Sequence, residues 1–472
     1  MSQANKYLKI ILRLEAEIKE LRKIIAQQEA TIKLQAQRIE ELESRLSDIT
    51  SHPSTPSGMK PVYEKEPVKS RRKKPGQKQN HQGHRRVIPD RIDKEKDWTL
   101  CKCPDCGCDL SSPVETRERY TEDIPPVEVE VTKHNIHRYY CTNCKKIVEP
   151  KVVDALPKSQ LGLRLVVYTS WLHYHLGVTV ENIVKWLSCF SSCNVSPGGL
   201  TRIWSRLSVI LAPVYQELAK EARKSAILNA DESGWRVNGK THWLWCFTNK
   251  ALAYFIIDRS RGSPVVKKVL GKVFNGVLIC DFFSAYGKIA SLAKQRCIVH
   301  LLGELKKVSI KNKNLEWLMF TKKLKRLLKD AMRFSAKQSK IEPNTYMSKT
   351  NRLHQRLAMI YNQKYKGADC NRIAKRLRKH KDEIFTFVTN PGVSADNNHA
   401  ERQIRPAVIM RKNSYCNRSK QGANTQAILM SIFRTLHLRK IDSIATLTSL
   451  LSEWIRTKNI ITLPTISLQM GK

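Results

Sequence analysis

The sequence predicts a multidomain α/β protein, and three observations predict it. A heptad pattern opens the chain, two Cys-x2-Cys pairs follow a basic linker, and apolar runs of strand character around Asp231 alternate with helical periodicity. The length of 472 residues corresponds to roughly three domains, and 41% hydrophobic residues suffice for a real core. Charge is the strongest compositional feature. With 84 Lys+Arg against 42 Asp+Glu, the net charge of +42 points to a polyanionic partner, most commonly nucleic acid. Membrane-surface binding is the alternative, but no apolar run is long enough to span a bilayer. Glu15 and Glu17, soon after a short apolar patch, argue against a secretory leader. The expectation is a soluble intracellular protein with no membrane contact.

Residues 1–50 read as a dimerisation coiled coil. Ile11, Ile18, Ile25, Ile32, Ile39 and Leu46 occupy one heptad position, and Leu14, Leu21, Gln28, Gln35, Leu42 and Ile49 the other. Isoleucine at a with leucine at d favours two parallel strands, and the two glutamines help to fix register. A single amphipathic helix packed on its own body is the alternative; so long a stretch without caps favours oligomerisation.

Residues 51–98 read as a flexible basic linker. Pro and Ser dominate its first part, and from Lys69 to Arg86 there are eight Lys/Arg and no acid. Such a block stays extended until a phosphate backbone neutralises it, so Arg71, Arg72, Lys73 and Lys74 are expected to contact DNA without base specificity. A solvated linker is the plainer reading.

Residues 99–155 read as a zinc-binding module. In Cys103-x2-Cys106 and Cys141-x2-Cys144 the spacing lets two thiolates face one tetrahedral ion, with Gly107 easing the turn. Cys101 and Cys108 compete at the first pair but lack the two-residue gap. Between the pairs, EVEVTKHNIHRYY alternates like a strand. Four thiolates leave no open position, so the zinc is expected to be structural. Of the thirteen cysteines, those at 189, 193, 246, 280, 370 and 416 read as buried thiols in a reducing compartment.

Residues 156–225 are helical by pattern. GVTVENIVKWLSCF and SPGGLTRIWSRL read as two helices around a Pro-Gly-Gly turn, which suits a helix-turn-helix and an ordinary connector equally. From 226 the signal turns to strands. AILNA leads to Asp231, Asn238-Gly239 marks a hairpin, and ALAYFIIDRS continues the sheet. PVVKKVLGKV reads as helix, GVLICD as a strand ending at Asp281, and SAYGKIASLAK as helix again. Asp231 is thus expected to close the first strand and Asp281 the fourth.

Ends of neighbouring strands bring carboxylates together, and such a pair stays ionised only around a cation. Mg²⁺, or Mn²⁺ in its place, is the natural occupant; two ions roughly 3.5–4 Å apart serve phosphoryl transfer. Glu401 is the candidate third ligand. Singly, Asp231 could be a helix cap, Asp281 a turn residue, and Glu401 a partner for Arg405 one turn on. Glu232 ranks below Asp231 because adjacent strand residues face opposite ways.

ADESGWRVNGKTHWLW, ICDFFSAYGKI, QRCIVH and DNNHAERQIRPAVIMRKN, with the two cysteine pairs upstream, stand in one order along nearly the whole chain. In that order they resemble the insertion-sequence-66 family of DDE transposases. The resemblance implies an RNase H-like catalytic domain at 226–415 with Asp231, Asp281 and Glu401 as catalytic, magnesium-binding triad. It further implies a basic helical insertion at about 300–390 and a helical C-terminal region at 416–472. The chain departs from the family's usual pattern in reading DES, in Phe282 where a glycine often stands, and in NSYCNRSK where an aromatic precedes Gly-Ser.

Around the triad, Gln295, Cys297 and His300 form a Q-x-C-x-x-H run that reads as packing near the site, with a shared metal as the alternative. Arg402, Arg405, Arg411 and Lys412 are expected to steer DNA phosphates. Trp235, Trp243 and Trp245 read as core, and Pro406 is expected to kink or end the helix bearing Glu401. The implied protein is a cytoplasmic bacterial transposase, nucleoid-associated on DNA. It would bind its element's terminal inverted repeats as a dimer, cut the 3′ ends and join them to target DNA. Companion proteins encoded by the element are expected partners, since the family's elements often carry them. A non-catalytic dimeric zinc factor and a structure-selective nuclease of the same fold are the rival readings.

Overall fold

The computed structural model describes residues 3–50, 89–124 and 128–465. The expected DNA contacts at Arg71, Arg72, Lys73 and Lys74 lie outside the described residues. The chain divides into two units, residues 1–65 and 66–472.

Among its described residues the first unit is one helix, α1 (Gln3–Thr50). Leu14, Ile18, Leu21, Ile25, Ile32 and Ile39 are each 50–64% exposed along it. A helix with this apolar stripe in water has left its main source of stability unused.

In the second unit, β1 (Tyr139–Cys141) and β2 (Lys146–Val148) make a small antiparallel hairpin that carries Cys141 and Cys144. The strand expected over EVEVTKHNIHRYY is confined to its last two residues. The preceding positions pair with nothing among the described residues, and alternation without a partner does not make a strand.

Four helices follow: α2 (Leu163–Tyr174), α3 (Val180–Ser191), α4 (Pro197–Ile210) and α5 (Ala212–Lys224). Thr179 caps α3, accepting from Asn182 N at 3.2 Å, and Ser196 caps α4, accepting from Gly199 N at 3.0 Å. The Pro-Gly-Gly run is therefore not the turn between them. Pro197 takes the first helical position, where its missing N–H costs nothing.

A five-stranded sheet comes next, from β3 (Ile227–Val237), β4 (Lys240–Thr248), β5 (Ala253–Asp258), β6 (Val273–Cys280) and β7 (Ala290–Arg296). Its order is β5-β4-β3-β6-β7; the first three strands are antiparallel, and β6 and β7 run parallel to β3. Asn238 (φ 49°) and Gly239 (φ 72°) both adopt the left-handed turn conformation that their dipeptide foretold. Gly276 sits at an irregularity between β6 and β7, and a Cβ there would meet the Ser225 carbonyl at 2.3 Å. Helix α6 (Ser263–Leu270) joins β5 to β6.

Two expectations fail here. β3 runs on to Val237, so Asp231 lies inside the strand rather than at its end, because the antiparallel pairing with β4 continues past it. SAYGKIASLAK is helical only over α7 (Ser284–Gly287); from Ala290 it is a strand, held by pairing with β6.

The segment expected to be a helical insertion carries α8 (Ile298–Lys311), α9 (Leu315–Ser335), α10 (Pro343–Asn362), α11 (Ala368–Lys379) and α12 (Thr386–Thr389). The chain closes with α13 (Asn398–Ser414), α14 (Lys420–Leu438) and α15 (Ser443–Thr457). Helix α13 continues through Pro406 to Ser414, so the proline does not end it.

Three cores hold the unit together. On one face of the sheet, Leu228, Ala230, Trp245 and Phe247 pack with α2–α5, α14 and α15. On the other, Trp235, Leu244, Cys246 and Phe255 pack against Ile404, Ala407 and Met410 of α13. Val277 and Ile279 of β6 join Trp317, Leu324 and Leu328 of α9 in a third core. Each large apolar side chain so buried contributes roughly 1.5–3 kcal/mol. Trp235 and Trp245 are core, as expected, while Trp243 is only half-buried. Of the six expected buried thiols, Cys246, Cys280 and Cys370 are buried, Cys193 and Cys416 are half-buried, and Cys189 is exposed on the outer face of α3.

Candidate active site

The site forms where β3 and β6 separate. Their last register pair is Asn229 with Ile279, and two residues further along each strand stand Asp231 and Asp281. Parallel neighbours at equal register share a face, so both acids emerge on one side of the sheet. Asp281 is the first residue beyond β6, and its Oδ1 accepts from Phe283 N at 2.8 Å. Glu401 approaches from the first turn of α13.

Burial raises the Asp231 carboxyl well above its ordinary value, and the charges of Glu232, Asp281 and Glu401 push it the same way. Among the described residues neither Asp231 nor Asp281 has an ion pair with a basic side chain. Asp231 and Asp281, with no basic side chain paired to either and Glu401 nearby beside His300, are a donor set suited to a hard divalent cation. The three carboxylates do not all come within 4.8 Å of one another; among the described residues the metal-type donors that do are Cys297, His300 and Glu401.

Glu232 faces the opposite side of β3. Tyr286 Oη donates to its Oε2 at 2.5 Å, and Arg261 donates to Oε1 from Nη2 at 2.9 Å and from Nε at 3.2 Å. The Arg261 guanidinium lies between Trp243 and Phe283, at 4.2 and 4.3 Å from the ring centres. Burial and the charge of Asp281 raise Glu232 to about 7, although Tyr286 and Arg261 pull it down. Both oxygens thus have partners on the side away from Asp231.

Two further residues fix the geometry. Asn397, fully buried, donates from Nδ2 to the Ala230 carbonyl at 2.8 Å and accepts from Asn229 Nδ2 at 3.0 Å. Its own carbonyl accepts from Glu401 N at 3.2 Å. One side chain therefore ties the start of α13 to the strand segment just before Asp231. Arg296, also fully buried, donates from Nη1 to the Asp281 carbonyl at 2.7 Å and from Nε to Glu383 at 2.6 Å. Neither residue has a sequence signal of its own; Asn397 could have been suspected only from the Asn-Asn pair ahead of a helix.

Arg402, Arg405 and Lys412 are exposed on α13. Arg411 is placed differently from the expectation that it faces phosphates. It donates to the Gly234 carbonyl and to Ser233 Oγ, pinning α13 to β3. Gln295 is structural: it bonds the Arg296 and Ile384 carbonyls and accepts from Phe387 N at 2.9 Å.

In the cysteine module each pair closes on itself. Gly107 N donates to the Cys103 carbonyl at 2.9 Å, with Gly107 at φ 76°, and Cys144 N donates to Cys141 Sγ at 3.4 Å. Hydrogen bonds from the Cys106 and Asp105 backbone hold Cys103 below the usual thiol range, and the Cys144 N–H does so for Cys141. N–H groups aimed at sulfur suit thiolate ligands. The two pairs do not meet within 4.8 Å as a four-sulfur set. Among the described residues no helix is long and apolar enough to cross a membrane.

The family model described as Transposase IS66 family matches residues 158–425, more than half of the chain. The model described as the zinc-finger binding domain of transposase IS66 matches residues 101–145, the segment that holds both cysteine pairs. No curated protein matches the chain.

Proposed function

The chain belongs to the IS66 family of transposases and carries that family's zinc-finger DNA-binding module; from this we propose that it cuts the 3′ ends of its own element and joins them to target DNA at Asp231, Asp281 and Glu401. The observation that carries the reading is that Asp231 and Asp281 each stand two residues past the last parallel register pair, Asn229 with Ile279, with the first turn of α13 tied beside them by Asn397. The strand order β5-β4-β3-β6-β7, with one antiparallel edge and one parallel edge, supports an RNase H-like core.

Asp231, Asp281 and Glu401 would hold Mg²⁺ or Mn²⁺, which when bound would supply positive charge for an attacking and a departing oxygen in phosphoryl transfer. The protein's own part is positional. Asp231 and Asp281 present oxygens from a rigid sheet, Arg296 holds the Asp281 backbone, and Arg402, Arg405 and Lys412 offer cations to the DNA backbone on the exposed side of α13.

Cys103, Cys106, Cys141 and Cys144 would hold one structural zinc, drawing the two pairs together. The exposed heptad stripe of α1 supports a two-stranded coiled coil that brings two protomers to the two ends of the element. Helices α3 and α4, the linker around Arg71–Lys74 and the zinc module would share the recognition of the inverted repeats. The insertion adds exposed Lys322, Lys323, Arg326 and Lys329 on α9.

The test is Asp281→Asn in the full chain, assayed on duplexes bearing the ends of the element. The account expects loss of 3′-end cutting and joining with end binding retained. Undiminished cutting refutes the assignment; absence of cutting by the parent protein as well favours a DNA-binding factor, and cutting of branched DNA without those ends favours a nuclease.

A further inference from the structure

Beside the acidic triad stands a donor set of different chemistry. Cys297 Sγ, a ring nitrogen of His300 and a carboxylate oxygen of Glu401 all lie within 4.8 Å of one another. His300 Nδ1 is 3.6 Å from Glu401 Oε1. We propose that Cys297, His300 and Glu401 form a second divalent-metal site, selective for a borderline ion such as Zn²⁺ over Mg²⁺, and that filling it withdraws Glu401 from the triad.

The geometry follows from two converging helix starts. Cys297 is the residue before α8 and His300 lies one turn on, so both side chains reach the same end of that helix. Glu401 occupies the first turn of α13, and Ile298 N donates to the Ala395 carbonyl at 2.9 Å, which fixes the approach to α13 against the start of α8. Tetrahedral zinc with ligands at about 2.0–2.3 Å places its donors roughly 3.3–3.8 Å apart. The three groups need to close by about 1.5 Å at most, within the reach of side-chain torsions in His300 and Glu401.

The donor chemistry selects the ion. One sulfur, one imidazole nitrogen and one carboxylate oxygen suit zinc, whereas Mg²⁺ requires an octahedron of oxygens. Cys297 is buried, while the His300 and Glu401 side chains are 46% and 42% exposed, so an ion can enter and keep water as its fourth ligand. Binding exchanges the thiol proton, which leaves to solvent, for a sulfur–metal bond. The Asn397 N–H, which donates to Cys297 Sγ at 3.3 Å, then stabilises the thiolate. The thiolate and the carboxylate together balance the 2+ charge.

Competition follows from the shared ligand. A Glu401 oxygen pulled toward Cys297 and His300 no longer faces Asp231 and Asp281; this half of the proposal rests on the triad reading, and the ion site itself does not. The experiment uses the full chain dialysed against micromolar Zn²⁺, with bound zinc counted for the parent protein, Cys297→Ser and His300→Gln. His300 is exposed, so its substitution spares the core, and circular dichroism checks the fold of both variants. The account expects one zinc fewer per chain in each variant; equal zinc content overturns the site. In Mg²⁺-dependent end cutting, added Zn²⁺ is expected to inhibit the parent protein and to need at least tenfold higher concentration for His300→Gln. Equal sensitivity overturns the competition. If Asp281→Asn cuts normally, the triad reading falls, and the zinc count still decides the ion site on its own.

Discussion

Glu383→Gln tests whether the segment between α11 and α12 holds the end of β6 at Asp281 in place. Arg296 has a 1% exposed side chain and joins the Asp281 carbonyl to Glu383, whose side chain is 24% exposed. Burial alone would raise the Glu383 carboxyl; the His380 hydrogen bond and the Arg296 guanidinium overcome it and hold the group at about 2, against an ordinary 4.5. At about 1.4 kcal/mol per pH unit, that difference is worth about 3 kcal/mol at neutral pH. Removing one partner of a buried pair costs a similar 3–5 kcal/mol, and the partial exposure of Glu383 puts the expected loss near 2–3 kcal/mol. Because the folded-state value is depressed, the stabilisation is complete above pH 4.5 and is lost as the pH falls toward 2. Urea unfolding followed by tryptophan fluorescence is the assay, since each of the three cores contains a buried tryptophan, Trp245, Trp317 and Trp235. The variant should unfold at up to about 1 M less urea at pH 7, and the gap from the parent should shrink steadily between pH 4.5 and the acid limit. A difference below about 0.5 kcal/mol at pH 7, or a gap that does not depend on pH, refutes the reasoning.

Asn397→Ala removes the bonds to Ala230 and Asn229, so end cutting should fall about 100-fold, the cost of a misplacement near 1 Å, with end binding unchanged; equal cutting rates contradict this. Cys416 adopts φ 70°, a left-handed conformation that favours glycine, so Cys416→Gly should stabilise the fold by about 1 kcal/mol, read as a raised urea midpoint. Ile18→Asp with Ile25→Asp places charges on the exposed stripe of α1 and should convert dimers to monomers in sedimentation equilibrium. Zinc chelation, or Cys141→Ser, should weaken binding to element ends while changing the unfolding free energy by no more than about 0.5 kcal/mol.

Local signals were read well wherever backbone chemistry decides. Asn238-Gly239 turns where its dipeptide demands, and the apolar runs that follow it form β4 and β5, buried at consecutive positions and so on both faces of the sheet. The two apolar runs that end near Asp231 and Asp281 do lie side by side as β3 and β6, whereas neither the three carboxylates nor the two cysteine pairs come within 4.8 Å as a set. The failures came where tertiary pairing overrides local preference. Ala290–Arg296 has the composition of a helix, yet β6 offers it a parallel edge and the pairing wins. Asp231 was read as a strand end because an acid is unexpected inside a sheet, but β4 carries β3 past it. Asn397 and Arg296 stand inside DNNHAERQIRPAVIMRKN and QRCIVH, but their roles were not legible there, since they bond carbonyls that are distant in sequence. Arg411 looked like a free cation until the Gly234 carbonyl came within reach of it.

The most direct measurement replaces an oxygen ligand with sulfur. Asp281→Cys should be inactive in 3′-end cutting with Mg²⁺ and regain activity with Mn²⁺, the more sulfur-tolerant ion. That dependence on the ion arises only if the side chain at 281 touches the metal. Equal activity of the variant in both ions would contradict the assignment of Asp281 as a ligand.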